Sequence, residues 1–308
     1  MLPQPHLSAL LQTLSKIDLD SLPAGLKETI SLALEHAHGL DESLSEEQLM
    51  GQQVEELTLE NELLSQKLNE ANQAKAKFVS VVTHELRIPM TAIKGYSDLL
   101  RTGAIGSLNE QQTSFLNIIR TNVDRMSALV SNLSDLSYIE TGRMKLNTKS
   151  FELPTVIDEV LLNWMPKIEE KKQSLKQEFG ERLHPVSADR SRVAQVLSTL
   201  LNNASRYTPE GGSLSLRVCS NGEAVRVEVV DSGIGIHEKD QPFIFTQFFR
   251  SEDPAVREYP GWGLSLCVAR KIVELMGGQL SFQSAPLEGS SFWFSLPIGG
   301  DDEPEQTR

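Results

Sequence analysis

One histidine in this chain stands in surroundings that suit chemistry. In the string FVSVVTHELRIPM, residues 78–90, His84 is followed directly by Glu85. The helical frame turns Val81, Val82 and Leu86 to one side and leaves His84 on the other. A neutral, solvent-facing imidazole is a nucleophile, and a carboxylate beside it can orient the ring or take its proton. Further along, Thr199, Asn203, Arg206 and Tyr207 recur at spacings of three or four, so they share one side of a helix whose other side is apolar. An asparagine oxygen there suits a hard divalent cation that prefers oxygen ligands and keeps several waters. Asp231 closes an apolar strand and is followed by Gly233 and Gly235. A carboxylate at a strand end can accept from an amino group, and glycines after it let the backbone lie against a flat ring. Gly261 and Gly263 open a helix at Leu264, where backbone donors suit phosphate oxygens.

These groups need elements to hold them. From Met50 a three-four spacing runs through Val54, Leu57, Asn61, Leu64, Leu68, Ala71, Lys75, Phe78 and Val82, a seam expected to form a parallel coiled coil whose polar Asn61 fixes register. The seam reaches His84 without Gly or Pro, and Pro89 is expected to kink the helix beyond it. A second amphipathic helix over about Leu108–Glu140 ends at Thr141 and Gly142. With a turn at Gly103–Ser107 the two helices make an antiparallel hairpin, and two hairpins a dimeric four-helix bundle. Before the seam, two short helices are expected, one with Leu7, Leu10, Leu11 and Leu14, the other with Leu26, Ile30, Leu34 and Ala37, stopped by Gly39. Beyond Ser150, Leu214 to Val218 and Val225 to Val229 alternate about a turn at Asn221 and Gly222, helical runs flank them at Val193–Ala204 and Leu264–Met276, and Phe292, Phe294 and Leu296 close the sheet. The fold class is α+β, with an α/β sandwich after the helices.

Composition narrows the function classes. The net charge of −13 opposes nucleic-acid binding, and its distribution is uneven: residues 1–76 carry −9 and residues 301–308 carry −3. No apolar run approaches the roughly 20 residues of a membrane span, so a cytoplasmic location is expected. Cys219 and Cys267 lack ligand-like spacing.

Residues 78–90 resemble the H-box of dimeric sensor histidine kinases, and the likeness continues in order through DRSRVAQVLSTLLNNASRYT (189–208, N-box), DSGIGI (231–236, first glycine box), IFTQFFR (244–250, F-box) and PGWGLSL (260–266, second glycine box). The resemblance implies residues 1–48 as a short helical region, 49–77 as a signalling coiled coil, 78–148 as the dimerisation and phosphotransfer domain, 149–298 as an ATP-binding domain of the GHKL (Bergerat) type, and 299–308 as a disordered tail. It implies that ATP and Mg²⁺ are used to phosphorylate His84, with Glu85 assisting, and that the phosphoryl group passes to an aspartate of a response regulator receiver domain. It assigns Mg²⁺ to Asn203, phosphate to Arg206, the adenine side to Tyr207 and Asp231 with Gly233 and Gly235, and the lid and phosphates to Phe245, Phe248, Gly261, Gly263 and Leu264. Four positions depart from the family pattern. Ile88 replaces a water-positioning Thr or Asn, which predicts weak phosphatase activity, and Thr199 replaces a stronger metal ligand. Trp262 and Ser265 stand where the second glycine box has small residues. Two readings follow: an active autokinase with an unusual lid, and a dimeric scaffold or phosphotransfer intermediate with weak or no ATP turnover.

Overall fold

The computed structural model describes Gln12 and residues 24–103, 106–220 and 222–299. Leu7, Leu10, Leu11 and Leu14 of the first expected helix, and the tail beyond Gly299, lie outside them. The chain forms two units, residues 1–72 and 73–308.

Helix α1 runs from Ala24 to Arg101, 78 residues, and corrects one expectation: Gly39 lies inside it instead of ending it. A helical glycine costs about 1 kcal/mol relative to alanine, and the surrounding Leu, Ala and Glu residues outweigh one such cost. Pro89 also lies within the helix. In the first unit the seam residues Val54, Leu57, Leu64 and Leu68 are all more than half exposed.

In the second unit, α1 packs antiparallel on α2 (Glu110–Glu140). Asn109 starts α2 with a reciprocal cap: its Oδ1 accepts from Gln112 N at 2.8 Å, and its own N donates to Gln112 Oε1 at 2.9 Å. Thr141 is the C-cap, and Gly142 follows at φ 64°. Met90, Val123 and Val130 are buried between the helices, and Lys94 pairs with Asp124 at 2.7 Å. The outer faces remain apolar, with Phe78, Tyr96 and Phe115 exposed.

The α/β layer follows. Its elements are β1 (Thr148–Phe151), α3 (Leu153–Glu170), β2 (Ser174–Phe179), β3 (Val186–Asp189), α4 (Arg190–Tyr207), β4 (Ser213–Ser220), β5 (Ala224–Asp231), a single 3₁₀ turn (Gln241–Phe243), α5 (Pro254–Arg257), α6 (Ser265–Leu275), β6 (Leu280–Ala285) and β7 (Gly289–Pro297). The main sheet has the order β2-β4-β5-β7-β6, with β2 and β4 parallel and the other pairs antiparallel; β1 and β3 form a separate two-stranded sheet. Period-two alternation decides its faces. Leu214, Leu216, Val218, Val225, Val227, Val229, Phe294 and Leu296 are buried in one core with the apolar stripes of α3, α4 and α6, while Arg217, Arg226, Glu228 and Trp293 take the opposite face. Arg226 lies over the Trp293 ring at 4.1 Å, covering part of that polar face.

The α/β core reaches the hairpin. Leu136 of α2 belongs to it, with Leu129, Leu133 and Ile139 packed alongside. At the same junction the buried Asp135 accepts from Arg192 Nη1 at 2.9 Å and from Gln195 Nε2 at 2.7 Å.

Candidate active site

His84 stands on α1 with its side chain 69% exposed, and its Nδ1 is 3.2 Å from Glu85 Oε1. That arrangement leaves Nε2 without a partner among the described residues. The contact is between neighbours on one helix, so Glu85 orients the ring without help from another element.

The second set of residues converges on a pocket in the α/β layer. Asn203, Arg206, Tyr207, Asp231, Gly235, Gly261 and Gly263 all line it. Helix α4 supplies the first three from its last turns. Its start is fixed by Asp189, whose Oδ1 accepts from Ser191 N and Arg192 N, and whose Oδ2 accepts from Asn147 N. Burial works to raise the Asp189 pKa, but the Asn147 N–H and the Ser191 and Arg192 donors outweigh it and hold the carboxylate below its ordinary value. The C-terminal end of α4 is held from the α3–β2 connection. Lys171 Nζ donates to Ser205 O at 2.7 Å, and buried Gln173 donates from Nε2 to Ser205 O and Thr208 O while its Oε1 accepts from Ser205 Oγ.

Asp231 ends β5 and is 8% exposed. Its Oδ1 accepts from Gly233 N at 2.8 Å and Ser290 N at 3.2 Å; no described residue donates to Oδ2, which is left to the pocket. Burial, only partly offset by those two N–H groups, pushes its pKa up to about 6. The donation from Gly233 also explains the glycine. A Cβ there would stand 2.7 Å from Asp231 Oδ1 and 2.5 Å from Tyr207 O, which the tight turn does not permit.

Several residues expected at the nucleotide do not line the pocket. Phe245 packs edge-on against Phe282, their centroids 5.8 Å apart, and Leu264 is buried in the main core. Phe248 is exposed and sits at φ 63°; its backbone N donates to Gly263 O at 2.9 Å, so its main chain, and not its ring, ties the F-box to the glycine loop. Gly263, at φ 67°, is the residue that admits this approach, because a Cβ would overlap the Phe249 backbone. Gly233, Phe245, Phe248 and Leu264 therefore shape the wall without lining it. Thr199 does not line the pocket either, and its hydroxyl donates to Gln195 O at 3.0 Å. Trp262 lines the pocket while remaining 58% exposed, which puts the indole at the rim.

The structure adds residues that spacing did not single out. Ser290, on β7, completes the bonding of Asp231. His237, Asp240, Arg250 and Asp253 also line the pocket, with His237 Nε2 3.3 Å from Asp253 Oδ2 and Ser251 Oγ donating to Asp240. Arg250 directly follows the aromatic FF pair, the only signal for it in sequence. No group of three or more His, Cys, Asp or Glu suited to a metal occurs among the described residues. That composition fits a cation held mainly by phosphate oxygens and water, with Asn203 as the pocket oxygen available to it.

A helical hairpin exposing a histidine, joined to an α/β layer with a strand-end carboxylate and glycine loops, defines a phosphoacceptor module coupled to an ATPase module. Comparison with known proteins agrees. Residues 74–142 match the His Kinase A (phospho-acceptor) domain, and residues 188–300 match the histidine kinase-, DNA gyrase B- and HSP90-like ATPase family. The chain is 33% identical over 288 residues to the circadian input-output histidine kinase CikA of Synechococcus elongatus, covering 89% of this chain and 38% of that protein. Full-length ShkA in complex with AMPPNP shares the fold, with TM-score 0.60 and 24% identity over 72% of this chain and 46% of that one. Histidine kinase ThkA in complex with the response regulator protein TrrA gives TM-score 0.51 and 28% identity over 74% and 63% of the two chains. The chain belongs to the sensor histidine kinases of two-component systems. It spans less than half the length of the CikA protein it matches, and no described helix is long and apolar enough to cross a membrane.

Proposed function

We propose that the chain is an ATP-dependent protein-histidine kinase that phosphorylates its own His84 and passes the phosphoryl group to an aspartate of a response regulator receiver domain. The observation that carries this reading is Asp231: a buried carboxylate with one oxygen satisfied by backbone N–H groups and the other turned to a pocket that Asn203, Arg206 and the glycine loop also line. Oδ2 accepts from the adenine amino group, while Arg206 and the N–H groups around Gly261 and Gly263 receive the phosphates. Mg²⁺, with Asn203 as its protein ligand, supplies neutralisation of phosphate charge. The His84 Nε2 lone pair attacks the γ-phosphorus, the bond from that phosphorus to the β,γ-bridging oxygen breaks, and ADP leaves. Glu85, against Nδ1, holds the ring and stabilises the charge it gains.

Exposed Phe78, Tyr96 and Phe115 on the hairpin support a homodimer in which two hairpins make a four-helix bundle. The complex of ThkA with TrrA supports a response regulator as the acceptor. Ile88, exposed four residues after His84, offers water no hydrogen bond, which supports weak phosphatase activity by that route. Trp262 at the rim leaves the pocket interior open and favours the autokinase over the scaffold reading.

The test is incubation of purified protein with γ-labelled ATP and Mg²⁺. Acid-labile, alkali-stable label is expected on the wild type and none on His84→Gln. Nucleotide binding without label on the wild type would instead assign the chain to the dimeric scaffold or phosphotransfer intermediate.

A further inference from the structure

Where α5 runs into the second glycine box, Tyr259 and Pro260 fasten the pocket's lid to the end of α4. The Tyr259 ring meets the Tyr207 ring edge-on, with centroids 5.8 Å apart at 81°, and Lys171 Nζ lies 5.5 Å from the Tyr259 centroid. Lys171 is itself tied to the α4 carbonyls of Ser205 and Arg206. One residue on, the Pro260 carbonyl accepts from Arg206 Nη1 at 3.3 Å. From inside the lid, Arg250 Nη2 donates to Val256 O at 3.1 Å and to Tyr259 O. Among the described residues no hydrogen bond engages the Tyr259 hydroxyl, so the ring makes the attachment.

This fastening bears on phosphate recognition. A Cβ built on Gly261 would lie 3.5 Å from Arg206 Nη1, so the carbonyl that engages Arg206 directly precedes the glycine facing the same guanidinium. The Arg206–Pro260 bond is long and neutral on the acceptor side. An anionic phosphate oxygen, a stronger acceptor, displaces it. Once that bond is exchanged, the Tyr259 ring is what keeps the lid against α4.

We propose that Tyr259 is a positioning residue of the nucleotide site: its ring, held between Tyr207 and Lys171, keeps the lid in place so that Gly261, Gly263 and Arg206 are already arranged when a polyphosphate arrives. The proposal rests on reading this pocket as the ATP site. Its energetic content is preorganisation, since a lid anchored beforehand loses less freedom on binding. Tyr259 adjoins the phosphate side; Asp231 and its two N–H partners do not touch it, and Tyr207, assigned to the adenine side, is tied to the Asp231 loop by its own backbone, its O accepting from Ile234 N at 3.2 Å, so loss of the Tyr259 ring falls on the phosphates and not on the base.

The experiment measures binding of ATP·Mg²⁺ and of adenosine by the full chain, together with autophosphorylation kinetics, in the wild type, Tyr259→Ala and Tyr259→Phe. Loss of one aromatic pair and one cation–ring contact is expected to weaken ATP about tenfold in Tyr259→Ala. Adenosine affinity stays at the wild-type value, KM for ATP rises with the loss of affinity, and kcat changes less than about twofold. Tyr259→Phe keeps the ring and binds ATP as the wild type does. Equal ATP affinity in wild type and Tyr259→Ala overturns the proposal. So does a Tyr259→Phe defect as large as that of alanine, or a parallel loss of adenosine binding, which marks general loosening of the domain. A wild-type chain that binds neither ATP nor adenosine overturns the reading of the pocket itself.

Discussion

The hairpin helices and the α/β layer bury their apolar residues by opposite means. In the α/β layer, Val156, Ile157, Leu201, Val225, Val227 and Phe294 have no measurable exposure, and one core joins three helices to the sheet. On the helices, Phe78, Tyr96, Phe115 and the seam at Leu57, Leu64 and Leu68 stand largely in solvent. The first region is complete within one chain, whereas the second carries apolar surface that a single chain does not cover. Stability should therefore be intrinsic in one region and dependent on concentration in the other.

The largest expected effect lies in the closed core. Phe294→Ala should cost the α/β layer about 3–5 kcal/mol, read from denaturant unfolding and unchanged across protein concentrations. A concentration-dependent loss would erase the distinction. Next comes Asp231. Its folded-state pKa of about 6 stands above the ordinary 3.8, so between those values the folded protein binds more protons than the unfolded. The stability it contributes is fully present below pH 3.8 and is lost as pH rises through about 6, a change of about 3 kcal/mol. Asp231→Asn keeps an oxygen for Gly233 N and Ser290 N and removes the titration. The difference between the two stability–pH curves should grow from pH 4 to 6 and then stay level, with Asp231→Asn the more stable at pH 7 and poorer at binding ATP.

At the boundary of the two regions, Asp135→Ala removes the carboxylate to which Arg192 and Gln195 both donate, leaving only their mutual hydrogen bond. It should weaken docking of the α/β layer on α2 by about 2 kcal/mol. Faster proteolysis across residues 141–147, with little change in unfolding of the α/β layer, is the expected sign. The smallest effect on the α/β layer should come from the seam. Leu64→Lys is expected to move its unfolding by less than about 0.5 kcal/mol while halving the mass seen by light scattering. An unchanged mass would mean that this seam does not join two chains.

What could be read beforehand follows the same division. The stripes of α4 and α6, the β4–β5 pair around Gly222 and the capped end of α2 are local patterns, and they lie within a residue or two of where spacing put them. Strands β1 and β2 left no such mark, because TKSF and SLKQEF are mostly exposed and carry too few apolar residues to alternate. Gly39 misled for a related reason: one unfavourable residue is a weak signal inside a long favourable run. At the site, Asn203, Arg206 and Asp231 were legible because they sit in short ordered strings. Gln173 was not, since its bonds reach residues more than 30 positions away; and of the residues the resemblance gives to the lid and phosphates, Phe245 and Leu264 pack behind the pocket while Phe248 ties in through its main chain.

Helix α4 holds Asp135 near its first turn, through Arg192 and Gln195, and presents Asn203, Arg206 and Tyr207 near its last. Arg192 and Asn203 are about 17 Å apart along that one rod. Two equilibria, docking on the hairpin and occupancy of the pocket, thus share a single rigid body. Linkage then makes the traffic reciprocal: whatever factor docking applies to ligand affinity, the ligand must apply to docking. Occupancy of the pocket could accordingly be followed from the hairpin side, by the loosening or tightening of Asp135 on Arg192, without a probe in the pocket itself.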